Sequence, residues 1–135
     1  MPDSIDIEEQ RATHPRTQES WDRFPGATRD SCKHYGEIFN RKAQNFRLQK
    51  KNPALILAKK HKKHVLKAPD AYAIGSQHNY YFSHMLNCVY DCRYCFLQGI
   101  YRSAHYFIFV NYEDFGEAIT DQIKEHENEE TSCIT

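Results

Sequence analysis

The sequence has no apolar run near the ~20 residues a membrane-spanning helix needs, and no apolar signal segment opens it. A soluble, cytoplasmic protein is expected. Cysteine is scarce and odd in number. Five residues cannot pair into a closed disulfide framework, and three of them crowd into one stretch, which in an intracellular chain points to metal or catalysis. Acid is nearly missing from residues 33–67, where Glu37 alone stands against 11 Lys and Arg. The neutral total hides this. Residues 1–70 carry 15 basic and 9 acidic side chains, and residues 71–135 carry 3 and 9. Such asymmetry marks either a solvated lysine-rich surface or a face for nucleic acid. Its densest part is Lys59-Lys60-His61-Lys62-Lys63-His64, where lysines could neutralise phosphates without reading sequence.

What is present is a cysteine run, Asn87-Cys88-Val89-Tyr90-Asp91-Cys92-Arg93-Tyr94-Cys95-Phe96-Leu97. Three thiolates spaced C-x3-C-x2-C on one loop can bind three irons of a cubane iron–sulfur cluster and leave the fourth open. A closed electron-transfer cluster takes four cysteines, whereas an open position can bind a substrate, as catalytic zinc sites do. Zinc is the alternative, with Cys32, Cys133, His84 or His105 as the fourth ligand beside the three loop cysteines, of which only Cys92 and Cys95 form a C-x2-C pair. Thiolate ligation of a soft iron–sulfur centre suits the spacing better.

With 135 residues the chain can form one modest domain with a core. Residues 1–30 are polar, hold three of the five prolines, and read as a flexible arm. Residues 31–70 form a basic region. Within it Tyr35, Ile38, Phe39 and Phe46 fall near helical spacing and predict an amphipathic helix over 31–51, their rings serving the core. Asn52-Pro53 breaks it. Leu55-Ile56-Leu57-Ala58 reads as a short buried strand, and Tyr80-Tyr81-Phe82 as a strand leading into the cysteine loop. A helix start is expected from Phe96 to Tyr101. The run from His105 to Asn111 is the clearest strand, nearly continuous in apolar residues as a strand covered on both faces should be. A helix follows from Glu113 to His126, and Thr131 to Thr135 opens another strand. Alternation of this kind implies parallel β-α units, and a (β/α) barrel start over 71–135.

The cysteine spacing, with Tyr94 before the third cysteine, resembles the radical S-adenosylmethionine superfamily. The flanks Arg93-Tyr94-Cys95-Phe96-Leu97-Gln98 and Tyr106-Phe107-Ile108-Phe109-Val110-Asn111-Tyr112-Glu113-Asp114 resemble the spore photoproduct lyase family within it, as does the strand ending in Lys59-Lys60. The similarity covers about residues 54–135. It implies a [4Fe–4S] cluster on Cys88, Cys92 and Cys95, S-adenosylmethionine chelated by the open iron, and Tyr94 beside its adenine. It also implies reductive cleavage to a 5′-deoxyadenosyl radical, an electron donor, and thymine-dimer DNA as substrate, extruded from the duplex; the basic segment 33–67 is compatible with that partner. Family members are longer, so the chain is expected to be an N-terminal fragment with an incomplete barrel and no catalytic residue of its own. Cys133 is expected to be a small buried strand residue, not a hydrogen donor. The competing function is a zinc- or cluster-binding basic module that holds nucleic acid without catalysis.

Overall fold

In the strand Ser4–Glu8, Ile5 and Ile7 alternate with Asp6 and Glu8, and this period of two gives the first sheet its two faces. The computed structural model describes all residues except Met1, Ala73, Ile74, Ser76, Gln77, Asp91, Arg93, Phe96, Gln98, the run 128–130 and Thr135. In chain order the elements are β1 (Ser4–Glu8), α1 (Pro15–Arg23), β2 (Thr28–Cys32), α2 (Phe46–Gln49), β3 (Leu55–Ala58), β4 (Leu66–Lys67), β5 (His78–Tyr81), β6 (Met85–Leu86), β7 (Tyr106–Phe109), α3 (Tyr112–Glu125) and β8 (Thr131–Ile134). They fall into two units, Met1–Lys59 with Met85–Val110, and Lys60–His84 with Asn111–Thr135.

The first unit is built on a sheet ordered β2-β1-β3-β7-β6. Its first three pairings are parallel, and β6 joins antiparallel to β7. On one face Ile5, Ile7, Leu55, Leu57 and Val110 form the core, with Trp21 and Phe24 packed against it. His14 caps α1 by accepting from the Arg16 N–H, and Pro15 takes the first helical position, where a missing N–H costs nothing. On the other face Tyr35 and Phe39 lie 4.9 and 5.1 Å, ring to ring, from Phe107. Aromatic pairs at that separation add to simple burial.

The second unit has a sheet ordered β4-β5-β8. β4 runs antiparallel to β5, and β8 runs parallel to it, with Tyr80 opposite Cys133. α3 carries Glu113 and Asp114 in its first turn and Lys124 in its last, charges that suit the helix dipole, and it buries Phe115.

Strands at 55–58, 78–81, 106–109 and 131–134, and the helix from 112, agree with expectation. Four features differ. The arm expected over 1–30 instead holds β1, α1 and the start of β2, because Ile5 and Ile7 are buried between two parallel neighbours. The helix over 31–51 is absent. β2 ends at Cys32, a 3-10 turn spans Tyr35–Glu37, and only Phe46–Gln49 is α-helical. Asn40 and Ala43 adopt positive φ of 57° and 60°, which no right-handed helix contains. The helix expected from Phe96 to Tyr101 meets turns and bends at the described positions. Finally, the strands form two sheets, and among the described residues neither closes into a barrel.

Candidate functional site

The cysteine loop belongs to the first unit and joins β6 to β7. Its two ends are tied by Asn87, the residue just before Cys88. The Asn87 side-chain amide donates to the carbonyls of Ser103 at 2.6 Å and His105 at 2.8 Å. Its backbone has φ 65°, a left-handed conformation that asparagine tolerates better than most residues. The return limb is held by three further contacts. Asn40 Oδ1 accepts from the Arg102 N–H (2.8 Å), Gln49 Oε1 from the Ala104 N–H (3.0 Å), and Tyr101 packs on Phe39. His105 Nδ1 accepts from the Ala54 N–H at 3.0 Å, so its proton sits on Nε2. Burial lowers its pKa, which keeps the ring neutral.

Between these ties lie the three cysteines. The Cys95 N–H donates to the Cys92 carbonyl at 3.0 Å, so the second and third cysteines share one turn. Their thiols are half-buried, that of Cys88 is exposed, and all three are free of disulfides. Tyr94 is 91% exposed, and Val89, Tyr90, Leu97 and Ile100 are exposed with it. That is a concentration of uncovered apolar surface which a soluble chain normally covers with a ligand or partner. Asp91, Arg93 and Phe96 lie outside the described residues. Among the described residues no group of three or more His, Cys, Asp or Glu side chains is gathered as a metal site would require.

Two of the other ligands weighed for zinc, Cys32 and His105, are otherwise committed. Cys32 is buried at the end of β2, and its thiol is pushed up to about 11, first by burial and then by Asp6, Glu8, Glu37 and Glu9. A thiol held protonated is a poor ligand. His105 has already committed Nδ1. His84 lies in the second unit, edge-on to Tyr112 at 5.5 Å, and the Cys133 side chain lies outside the described residues. The basic segment 33–67 has no helix running through it. Lys33, Arg41, Lys42, Arg47 and Lys51 are exposed in the first unit, and Lys62, Lys63 and Lys67 in the second.

Sequence reasoning missed Asn87, Asn40 and Gln49, which fix the loop, and offered His105 only as a zinc ligand. An asparagine beside the first cysteine was the one available signal.

No protein-family model matches the sequence, and no curated protein matches it. Solved structures do. A spore photoproduct lyase variant with bound AdoMet and dinucleoside spore photoproduct superposes with a TM-score of 0.68 at 15% identity, over 93% of this chain and 36% of that one. A second variant of the same lyase gives 0.67 at 15% identity with the same coverage. The chain has the fold of spore photoproduct lyase. It spans about a third of the length of those lyase structures. No helix among the described residues is long and apolar enough to cross a membrane.

Proposed function

We propose that the chain is the cluster-bearing part of a radical S-adenosylmethionine protein of the spore photoproduct lyase type. Cys88, Cys92 and Cys95 would hold a [4Fe–4S] cluster, leaving one iron open for S-adenosylmethionine. The observation that carries this reading is three free thiols at C-x3-C-x2-C spacing on one loop, in a chain that shares its fold with that lyase. The donor set suits a soft cluster. Because the three side chains are not gathered among the described residues, loading has to draw them together on a loop tied at its base by Asn87.

A bound and reduced cluster would supply an electron to the sulfonium group of S-adenosylmethionine. The chain's own residues would do the placing. Asn87 holds the ends of the loop, Tyr94 would offer its ring to the adenine, and Val89, Leu97 and Ile100 would exclude water once covered. The strands would belong to a (β/α) barrel. S-adenosylmethionine cleavage, an external electron donor, a cytoplasmic setting and repair of thymine-dimer DNA are proposed for a protein of the full lyase length. In it the basic residues of 33–67 would meet the DNA backbone.

Anaerobic reconstitution with iron and sulfide tests the reading. About four irons should bind per chain, as a [4Fe–4S] centre requires. Changing any of Cys88, Cys92 or Cys95 to Ala should abolish the uptake, while Cys32→Ala and Cys133→Ala should not. Stoichiometric zinc that depends on Cys32 would overturn it.

A further inference from the structure

A cleft of about 290 Å³ opens in the second unit, lined by Phe82, His84, Tyr112, Phe115, Gly116 and Ile119. Four of these six side chains are rings. Phe82 stands 5.9 Å from Phe115, and His84 5.5 Å from Tyr112. Tyr112 is 39% exposed and Phe115 only 3%, so the cleft has an accessible rim and a buried floor. Gly116 lies in the middle of α3, and a Cβ built there meets nothing within 4 Å. Glycine is unfavourable inside a helix relative to alanine. Here its missing side chain widens the cleft.

A basic turn is anchored on the same floor. The Lys60 ammonium lies 5.6 Å from the Phe115 ring centre and 3.4 Å from the Ser83 carbonyl, which sits between two residues of the lining. Four residues on, the His64 ring packs edge-on against Phe115 at 5.2 Å while its Nε2 meets the Lys60 carbonyl at 2.8 Å. Both ends of the turn therefore rest on one aromatic ring, and Lys62 and Lys63 between them are exposed. Asp114, beside Phe115 in sequence, has its carboxylate tied to Asn111 Nδ2 at 2.7 Å. Burial lowers the Lys60 pKa, a cost that an anion beside it would offset.

Flat faces next to fixed cations suit a planar ring carried on an anionic chain. Aromatic stacking of unpaired bases with lysines along the backbone is how single strands are held without sequence readout. We infer that the second unit holds a single strand of nucleic acid, with one unpaired base stacked in the Phe82–Tyr112–Phe115 cleft and neighbouring phosphates on Lys60, Lys62 and Lys63. This deepens the nucleic-acid partner proposed above and rests on that reading, but it uses none of the residues of the cysteine loop. A base in a duplex keeps its faces stacked and cannot enter the cleft, so the site selects unpaired strands.

Fluorescence anisotropy on the whole chain, with no metal added, tests this with three labelled probes. They are a short oligothymidylate, an abasic strand of equal length, and a duplex. The thymidylate strand should bind roughly ten-fold more tightly than the abasic one, the scale of one stacked base, and more tightly than the duplex. Gly116→Leu, which fills open space, should erase that margin without weakening abasic binding. Tyr112→Ala, at an exposed position, should also reduce it. Lys62→Glu with Lys63→Glu should weaken both strands alike. Equal affinity for thymidylate and abasic strands would overturn the proposal, as would a margin that survives both cleft variants. Iron uptake by Cys88, Cys92 and Cys95 should be unchanged in Gly116→Leu. A base margin that persists in a chain taking up no iron would support this site and reject the cluster alone.

Discussion

The Asn87 amide reaches the His105 carbonyl at 2.8 Å across 18 residues of chain, and the same nitrogen meets the Ser103 carbonyl at 2.6 Å. One side chain thus closes the base of the cysteine loop. Replacing it leaves two carbonyls short of a donor, at about 1–3 kcal/mol for a buried unsatisfied group. Asn87→Ala should therefore lower unfolding stability by about 2 kcal/mol and speed hydrogen exchange over 87–105. Asn87→Gly separates the causes, since it relieves the left-handed backbone but restores no hydrogen bond. If the glycine variant recovers full stability, the hydrogen bonds are not what holds the loop.

Asp6 is 8% exposed on the sheet face opposite α1. Burial, and then the charge of Asp30 in register on β2, raise its pKa above the ordinary carboxylate value. With the folded value above the unfolded one, Asp6 favours the fold below the unfolded pKa and withdraws that support as pH rises through the folded value. Asp6→Asn should raise the melting temperature at pH 7 and flatten the loss of stability between acid and neutral pH. A lower melting temperature at pH 7 for Asp6→Asn would show that the charged form is stabilised by its surroundings.

The cysteines should separate chemically. Cys32 is buried with its thiol pushed up to about 11, whereas Cys88 is exposed. In the metal-free, reduced protein at pH 8, iodoacetamide should label Cys88 quickly and Cys32 only after denaturant is added. Peptide mapping by mass spectrometry reads both. Equal labelling of the two in folded protein would contradict the sheet register that buries Cys32.

Gly116→Ala puts a methyl group into open space within α3. Helix propensity alone predicts about 1 kcal/mol of added stability, visible as a rise of several degrees in the melting temperature. No rise would mean that the Gly116 backbone is not ordinary helix in solution.

Much of this could be read from the residues. Leu55–Ala58 and Tyr106–Phe109 are almost unbroken apolar runs, the pattern of strands covered on both faces, and both are strands. The cysteine spacing needed no structure at all. β1 escaped notice because its two isoleucines alternate with Asp6 and Glu8, acids that ordinarily mark solvent and are here 8% and 3% exposed. Tyr35, Ile38, Phe39 and Phe46 imitate a helix by spacing, yet Asn40 and Ala43 turn left-handed between them. Their aromatics still reach the core, because a 3-10 turn followed by a hydrogen-bonded turn points Tyr35 and Phe39 at Phe107. Asn87 and Gly116 act singly, through one amide and one missing side chain, and single positions leave no periodic trace.

The central claim is a cluster with three protein ligands and one open iron. Mössbauer spectroscopy of the chain reconstituted with 57Fe, recorded before and after addition of S-adenosylmethionine, tests it most directly. One iron in the four of a [4Fe–4S] centre should change its isomer shift on addition while the other three do not. The change should vanish with Cys92→Ala. Four irons unaffected by S-adenosylmethionine, or a chain that takes up no iron, would contradict the account.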